Sequence, residues 1–286
     1  MAKYEQLHAR IRDAAPALGI ELVEPPAATD EDLLRVHAPA YVQAMREGSA
    51  DPALMRRIGF PWSEAMVERS RRSSGGTIMA LRAALSGEGV AVNLAGGTHH
   101  AGHARGGGYC VFNDAVVAAR HVQAHGLARR LLVVDLDVHH GNGTAELCAD
   151  DPSLFTFSMH AGRNYPAVKP DSDLDVALAD GTGDDLYLDA LARHLPEAIA
   201  RARADAVIYL AGADPFVGDR LGYLALSKPG LAERDRQVLA ACRRHGLPLA
   251  VCMAGGYAPE VRDIVDIHEA TVRLAAAHWR ELRDAA

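Results

Sequence analysis

An open, mostly parallel α/β sheet with helices on both faces is the fold class that this 286-residue sequence predicts. Three observations predict it. Short apolar runs alternate with longer stretches of helical period, which implies strands joined by right-handed helical crossovers. The runs are apolar throughout, as parallel strands covered on both faces are. Polar and ionisable residues gather just after the runs, and in open α/β sheets ligands bind beyond the carboxyl ends of the strands.

Taken in order, MAKYEQLHARIRDAA opens the chain as an amphipathic helix and lacks the apolar core of a signal peptide. Residues 20–24 read as the first strand. Residues 48–62 (GSADPALMRRIGFPW) are the most loop-like stretch, a candidate rim or lid. Further strands are expected at 90–94, 131–136, 154–159, 206–210 and 249–253, and helices at 62–85, 113–125, 184–203, 228–245 and 259–282. No repeat, low-complexity run or linker composition interrupts them, so residues 1–286 read as one domain.

Bulk properties narrow the function. Hydrophobic residues at 49% and charged residues at 23% are ordinary for a soluble globular chain. A net charge of −7 argues against a general nucleic-acid binder, yet would attract a basic peptide or a polyamine. No apolar stretch reaches the ~18 residues of a membrane span. Cys110, Cys148, Cys242 and Cys252 form no C-x-x-C pair and lie in or beside apolar runs, which predicts buried thiols in a reducing cytoplasm. The sequence leaves the oligomeric state open.

The segment Asp135-Leu136-Asp137-Val138-His139 follows the third predicted strand. Alternate residues at a strand end point the same way, so Asp137 and His139 can face one point, with Asp135 one step behind. A carboxylate and an imidazole suit Zn²⁺, and Asp214 after the 206–210 run can supply a third ligand. Three protein ligands leave positions open, the arrangement of a catalytic zinc. In isolation, D-x-D-x-H is as readily a set of loop-capping carboxylates beside a satisfied histidine; Asp214 at an equivalent strand end tips the balance. His99-His100 follows the 90–94 run among small residues (Ala95-Gly96-Gly97-Thr98). Neighbouring histidines cannot easily share one face, so one can approach a reacting water while the other finds its own partner. A histidine serves as base and acid near pH 7. Tyr257, after Gly255-Gly256, can donate to an oxyanion, although by spacing alone a packing tyrosine behind a turn is the better reading. Gly106-Gly107-Gly108 fits no phosphate-binding motif and reads as tight backbone beside a pocket, with Tyr109 as its wall. His103, Arg105, His140 and His160 read as structural or supporting.

These residues resemble the histone deacetylase superfamily, on the arginase-deacetylase fold, and most closely the class IV histone deacetylases and their bacterial relatives. The resemblance runs in order through TDEDLLRVHAPAYV, SSGGTIMA, GGTHHAGHARGGGYCVFND, VVDLDVHHGNGTAE, AGADPFVGDRLGYLALS and MAGGYAP, nearly the whole chain. It implies zinc (or ferrous iron) on Asp137, His139 and Asp214. It implies His99 and His100 as the tandem histidines, with His100 the better candidate for general base and acid. Asp135 is similar to the carboxylate behind His99. Asn142 stands where some classes carry an aspartate for His100, so His100 should hold a proton less tightly. Tyr257 matches the transition-state tyrosine, and Tyr109 and Tyr165 the two aromatic positions flanking an acyl-lysine tunnel, with Gly108, Gly255 and Gly256 beside it. Ser158 and Met159, with backbone at Asp135, Asp137 and His139, match a structural K⁺ site. The family's usual first strand with its Tyr-His-Pro-like segment has no counterpart, which puts the N-terminal edge in question.

The function expected is zinc-dependent hydrolysis of an acyl–amine bond: deacetylation or longer-chain deacylation of an acyl-lysine peptide or protein. The alternatives are a small acylamine such as an acetylpolyamine, or a non-catalytic homologue that binds an acylated ligand or a partner. A two-manganese ureohydrolase would need carboxylates where His140-Gly141 and Pro215-Phe216 stand, and no G-x-S-x-G motif supports a serine hydrolase.

Overall fold

The computed structural model describes residues 2–284. Six parallel strands form its centre: β1 (Val90–Asn93), β2 (Leu131–Asp135), β3 (Leu154–Ala161), β4 (Leu174–Leu178), β5 (Ala206–Leu210) and β6 (Leu249–Cys252), in spatial order β1-β6-β5-β2-β3-β4. Ten α-helices surround it among the described residues: α1 (Ala2–Leu18), α2 (Asp30–Leu34), α3 (Pro39–Glu47), α4 (Pro52–Ile58), α5 (Glu64–Ala83), α6 (Asp114–Ala124), α7 (Asn142–Cys148), α8 (Asp184–Ala202), α9 (Lys228–Arg244) and α10 (Val261–Asp284).

The largely apolar character of the central strands follows from this layering. In β2, Leu132 and Val134 face a core built with α1, α8, α9 and α10, while Leu131 and Val133 face a second core built with α2 to α6. Each face of the strand is thus buried, so the alternation of a one-sided strand is absent. The helix starts carry ordinary caps: Ser63 accepts from Met66 N–H, Asn113 from Val116 N–H and Ser227 from Gly230 N–H. All four cysteines are buried and unpaired. No helix among the described residues is long and apolar enough to cross a membrane.

Three sequence expectations fail. Residues 20–24 form no strand, and Leu22 and Val23 are exposed. Strand propensity needs a neighbouring strand to bond, and this segment lies across a cavity from edge strand β1 and runs into Pro25-Pro26, which have no N–H to give. The 48–62 stretch is not all loop: Asp51 caps α4 and Pro52 sits at its first turn. Strand β4 was missed because only its alternate residues are partly buried, as suits a sheet edge, and Asp175 interrupts its apolar run.

The order of strands locates the site. From β2 the chain winds outward through β3 and β4, then crosses back to β5 on the other side of β2 and winds outward through β6. The winding direction reverses between β2 and β5, which opens a crevice at their carboxyl ends.

Candidate metal centre and active site

Asp137 and His139 leave the end of β2, and Asp214 leaves the end of β5, on the two walls of that crevice. His139 Nδ1 lies 2.9 Å from Asp137 Oδ1 and 3.4 Å from Asp214 Oδ2. The rest of each carboxylate is fixed by backbone donors: Gly255 N–H donates to Asp137 Oδ2 at 2.8 Å and Val138 N–H to Asp214 Oδ1 at 2.9 Å. Asp214 is fully buried, yet its Oδ2 has no hydrogen-bond partner. An unpaired buried carboxylate oxygen is costly, and a cation beside His139 Nδ1 would satisfy it. The donor set of one imidazole and two carboxylates, all within 4.8 Å of one another, fits a divalent ion. Gly255 is required here, since a Cβ would stand 1.8 Å from Asp214 Oδ2.

The charges respond accordingly. Burial, and then the Asp137 charge, push Asp214 up to about 6. Burial alone would lower His139, but Asp137 and Asp214 carry it up to about 10 in the absence of a metal. Asp137 is driven the other way: against its burial, His99 and His139 hold it well below the carboxylate range.

The tandem histidines sit beside this set with different partners. His99 Nδ1–H donates to Asp135 Oδ2 at 2.6 Å, and His100 Nδ1–H donates to Asn142 Oδ1 at 2.6 Å. Burial opposes charge on His99, but Asp135 and Asp137 override it and raise it to about 9. His100 goes far below its ordinary value, through burial and then repulsion from His99 and His139. Because an amide oxygen only accepts, Asn142 fixes His100 as the Nδ1–H tautomer and leaves Nε2 with its lone pair.

Arg105, read from the sequence as supporting, and several residues that the sequence did not single out hold this geometry. Asp114 accepts from the N–H groups of Gly97 and Thr98 at 3.0 and 2.7 Å, which shapes the turn before His99. His37 bridges the segments on either side: its Nδ1–H donates to Gly102 O, and its Nε2 accepts from Asn113 N–H. Arg105 donates to His100 O and pairs with Glu146. Arg234, fully buried on α9, donates to Gly212 O at 2.6 Å and Leu136 O at 3.3 Å, the backbone just before Asp214 and Asp137. Its charge is balanced by Asp235, which also accepts from Tyr209 and Thr271 hydroxyls. An Arg-Asp pair in a polar helix reads in sequence as a solvated face; only the packing reveals its burial.

Tyr257 leans over the set with its ring 6.4 Å from that of His139. Its N–H donates to Asp219 Oδ2 at 2.6 Å and its carbonyl accepts from Arg220. Lys3 on α1 donates to the carbonyls of Ala254 and Gly256 on either side of Gly255. Burial, then Asp214 and Asp137, keep the Tyr257 hydroxyl protonated by raising it far above its usual range. Tyr109 and Tyr165, each nearly half exposed, stand at the mouth: Tyr109 is 5.7 Å from Tyr257, and Tyr165 meets His100 edge-on at 4.8 Å. Gly108 lies between them at φ +51, and a Cβ there would stand 2.4 Å from the His100 ring. A cavity of about 2070 Å³ runs from the mouth past the histidines and Tyr257 to α1, α5, β1 and α10. Ser158 on β3 pairs in register with Asp135, with Met159 next to it.

The family model of the histone deacetylase domain matches residues 1–272. This chain belongs to the histone deacetylase family. It is 44% identical over 275 residues to an uncharacterized protein of Picosynechococcus sp., covering 96% of this chain and 91% of that one. It is 32% identical over 246 residues to histone deacetylase 2 of Arabidopsis thaliana, covering 82% of this chain but 63% of that longer protein. Among solved histone deacetylase structures, the HDA15 HD domain superposes with a TM-score of 0.81 at 25% identity over 99% of this chain and 87% of that one. An HDAC homologue complexed with SAHA gives 0.81 at 26% identity over 98% and 82%. The six-stranded sheet is therefore that of the arginase-deacetylase fold.

Proposed function

We propose that this protein is a zinc-dependent amidohydrolase that removes acyl groups from lysine side chains. One observation carries the reading: the Asp137–His139–Asp214 donor set, with its orphaned carboxylate oxygen, lies beside a histidine whose free nitrogen lone pair is fixed by Asn142. Asp137, His139 and Asp214 hold the zinc. When bound, the ion supplies Lewis-acid polarisation of an acyl carbonyl and a lowered pKa for water, towards ~7.

The protein groups divide the remaining work. His100 Nε2 takes the proton of the attacking water and returns it to the departing amine. His99 is oriented by its Nδ1–H bond to Asp135 Oδ2, with its Nε2 3.8 Å from Asp137 Oδ1. The Tyr257 hydroxyl, kept protonated by its burial, donates to the developing oxyanion. Tyr109 and Tyr165 flank the lysine stem, and Gly108, Gly255 and Gly256 keep the backbone close to it. Ser158 and Met159, with the backbone of Asp135, Asp137 and His139, hold a structural K⁺ next to the zinc ligands. The continuation of the cavity past Tyr257 towards α1 and α10 supports acceptance of acyl chains longer than acetyl.

The test is turnover of acetyl-, octanoyl- and myristoyl-lysine peptides and of an acetylpolyamine by purified protein, with a zinc chelator and with His100→Ala as controls. Peptide turnover abolished by both controls is expected. Turnover of the acetylpolyamine alone would transfer the same chemistry to a small acylamine. One bound zinc with no turnover of any substrate would overturn the hydrolase reading.

A further inference from the structure

A second cluster of ligand types lies on the far side of β2 from the crevice residues, and no step of the reaction uses it. His140 follows His139, His160 is near the end of β3 and Asp175 is on edge strand β4. Ser158 and Asp175 are partners in the β3–β4 register, and His160 stands two residues beyond Ser158, so all three side chains share one face. His140 and His160 are both buried, while Asp175 is partly exposed and gives the cluster a path to solvent.

The spacing is that of a shared ion. His140 Nε2 and Asp175 Oδ1 are 3.1 Å apart. With metal–ligand bonds of roughly 2.0–2.2 Å, that separation corresponds to an angle of about 95° at an ion between them. The two imidazole centroids are 4.8 Å apart, with the rings near perpendicular at 84°. An imidazole centroid sits roughly 3.2 Å from a metal on its nitrogen, so 4.8 Å again corresponds to an angle close to 97°. The three donor atoms fall within 4.8 Å of one another. Ser172 Oγ, 3.4 Å from His140 Nε2, stands ready as a fourth neighbour.

Hydrogen bonding leaves the cluster incompletely used. The His140 ring turns Nε2 to Asp175 and Ser172, while its Nδ1, which points away from the cluster, is buried without a partner and takes no part in it. His160 spends one nitrogen on Ser158 Oγ at 3.0 Å and keeps the other. Two imidazoles with one carboxylate select a borderline transition metal over K⁺, Mg²⁺ or Ca²⁺, which take oxygen ligands.

We propose that His140, His160 and Asp175 form a second, structural transition-metal site of the zinc class, with Ser172 or water completing it. The site ties the loop after β2 to the end of β3 and to β4. His160 and Asp175 bracket the excursion 161–174 that carries Tyr165, so an ion there anchors one wall of the catalytic mouth at both its ends.

The experiment is metal stoichiometry on the full chain. Protein is stripped with chelator, titrated with Zn²⁺ alone, and its bound metal counted by mass spectrometry for wild type, Asp175→Asn, His160→Gln and Asp137→Asn. Two equivalents are expected for wild type, and close to one for each variant. Wild type saturating at one equivalent, which Asp137→Asn abolishes and Asp175→Asn leaves intact, overturns the second site and spares the catalytic one. One equivalent that Asp175→Asn abolishes and Asp137→Asn leaves intact supports the second site and removes the catalytic one. The wild-type count stands even if a variant fails to fold.

Discussion

Arg234 offers a demanding test of how the crevice is held. The guanidinium is fully buried, pairs with the buried Asp235, and donates to the carbonyls of Leu136 and Gly212. Arg234→Met strands the Asp235 charge, which Tyr209 and Thr271 relieve only in part. Breaking one side of a buried ion pair costs about 3–5 kcal/mol, and that is the expected loss of unfolding free energy in metal-free protein. Arg234→Met with Asp235→Asn removes both charges while leaving an acceptor for the two hydroxyls, so most of that loss should return. The two carbonyls stay unheld in either variant. Because these carbonyls lie just before Asp137 and Asp214, the proposed metal ligands, both variants should bind Zn²⁺ 10–100-fold more weakly, the usual cost of losing a supporting partner, or about 1.4–2.7 kcal/mol. Urea unfolding in chelator measures the first quantity, and competition against a calibrated zinc chelator the second. A double variant that recovers both stability and wild-type zinc affinity would show that Arg234 is only a charge partner. A single variant that costs under about 1 kcal/mol would refute the buried-pair reasoning itself.

Three further outcomes follow from the site. Tyr257→Phe should lower kcat by roughly 10²–10³-fold with little change in zinc affinity, as loss of one oxyanion donor does; a loss below threefold excludes that role. Asn142→Asp places a negative charge against His100, so the acidic limb of the kcat/KM profile should move to higher pH; an unmoved limb would show that His100 does not set it. His37 is held by burial at about 4, below the ordinary histidine value of about 6.5, and its two hydrogen bonds need the neutral ring. The unfolded chain therefore binds the extra proton between those values. The stability His37 confers is full above about pH 6.5 and falls by about 3 kcal/mol as pH drops to about 4. The stability difference between wild type and His37→Gln, followed by urea unfolding from pH 7 to 4, should shrink by that amount; a constant difference contradicts the assignment.

The amino-acid sequence by itself determined the sheet class, five of the six strands and the segments that meet at the crevice. The physical reason is locality. A strand buried on both faces is apolar at every position, and β2 and β5 announce themselves in five residues each. Asp137, His139 and Asp214 follow those two strands within four positions, close to where strand geometry orients them. Tertiary structure decided what depends on partners distant along the chain. Residues 20–24 carry strand propensity but find no strand to bond, while β4 carries little and is secured by β3. Asn142 has meaning only against His100, 42 positions away, and Arg234 only against Leu136, 98 positions away. A charged pair such as Arg234–Asp235 has the same local pattern on a wet surface as in a dry core. Only the packing of α9 against the sheet removes the water that would have screened it.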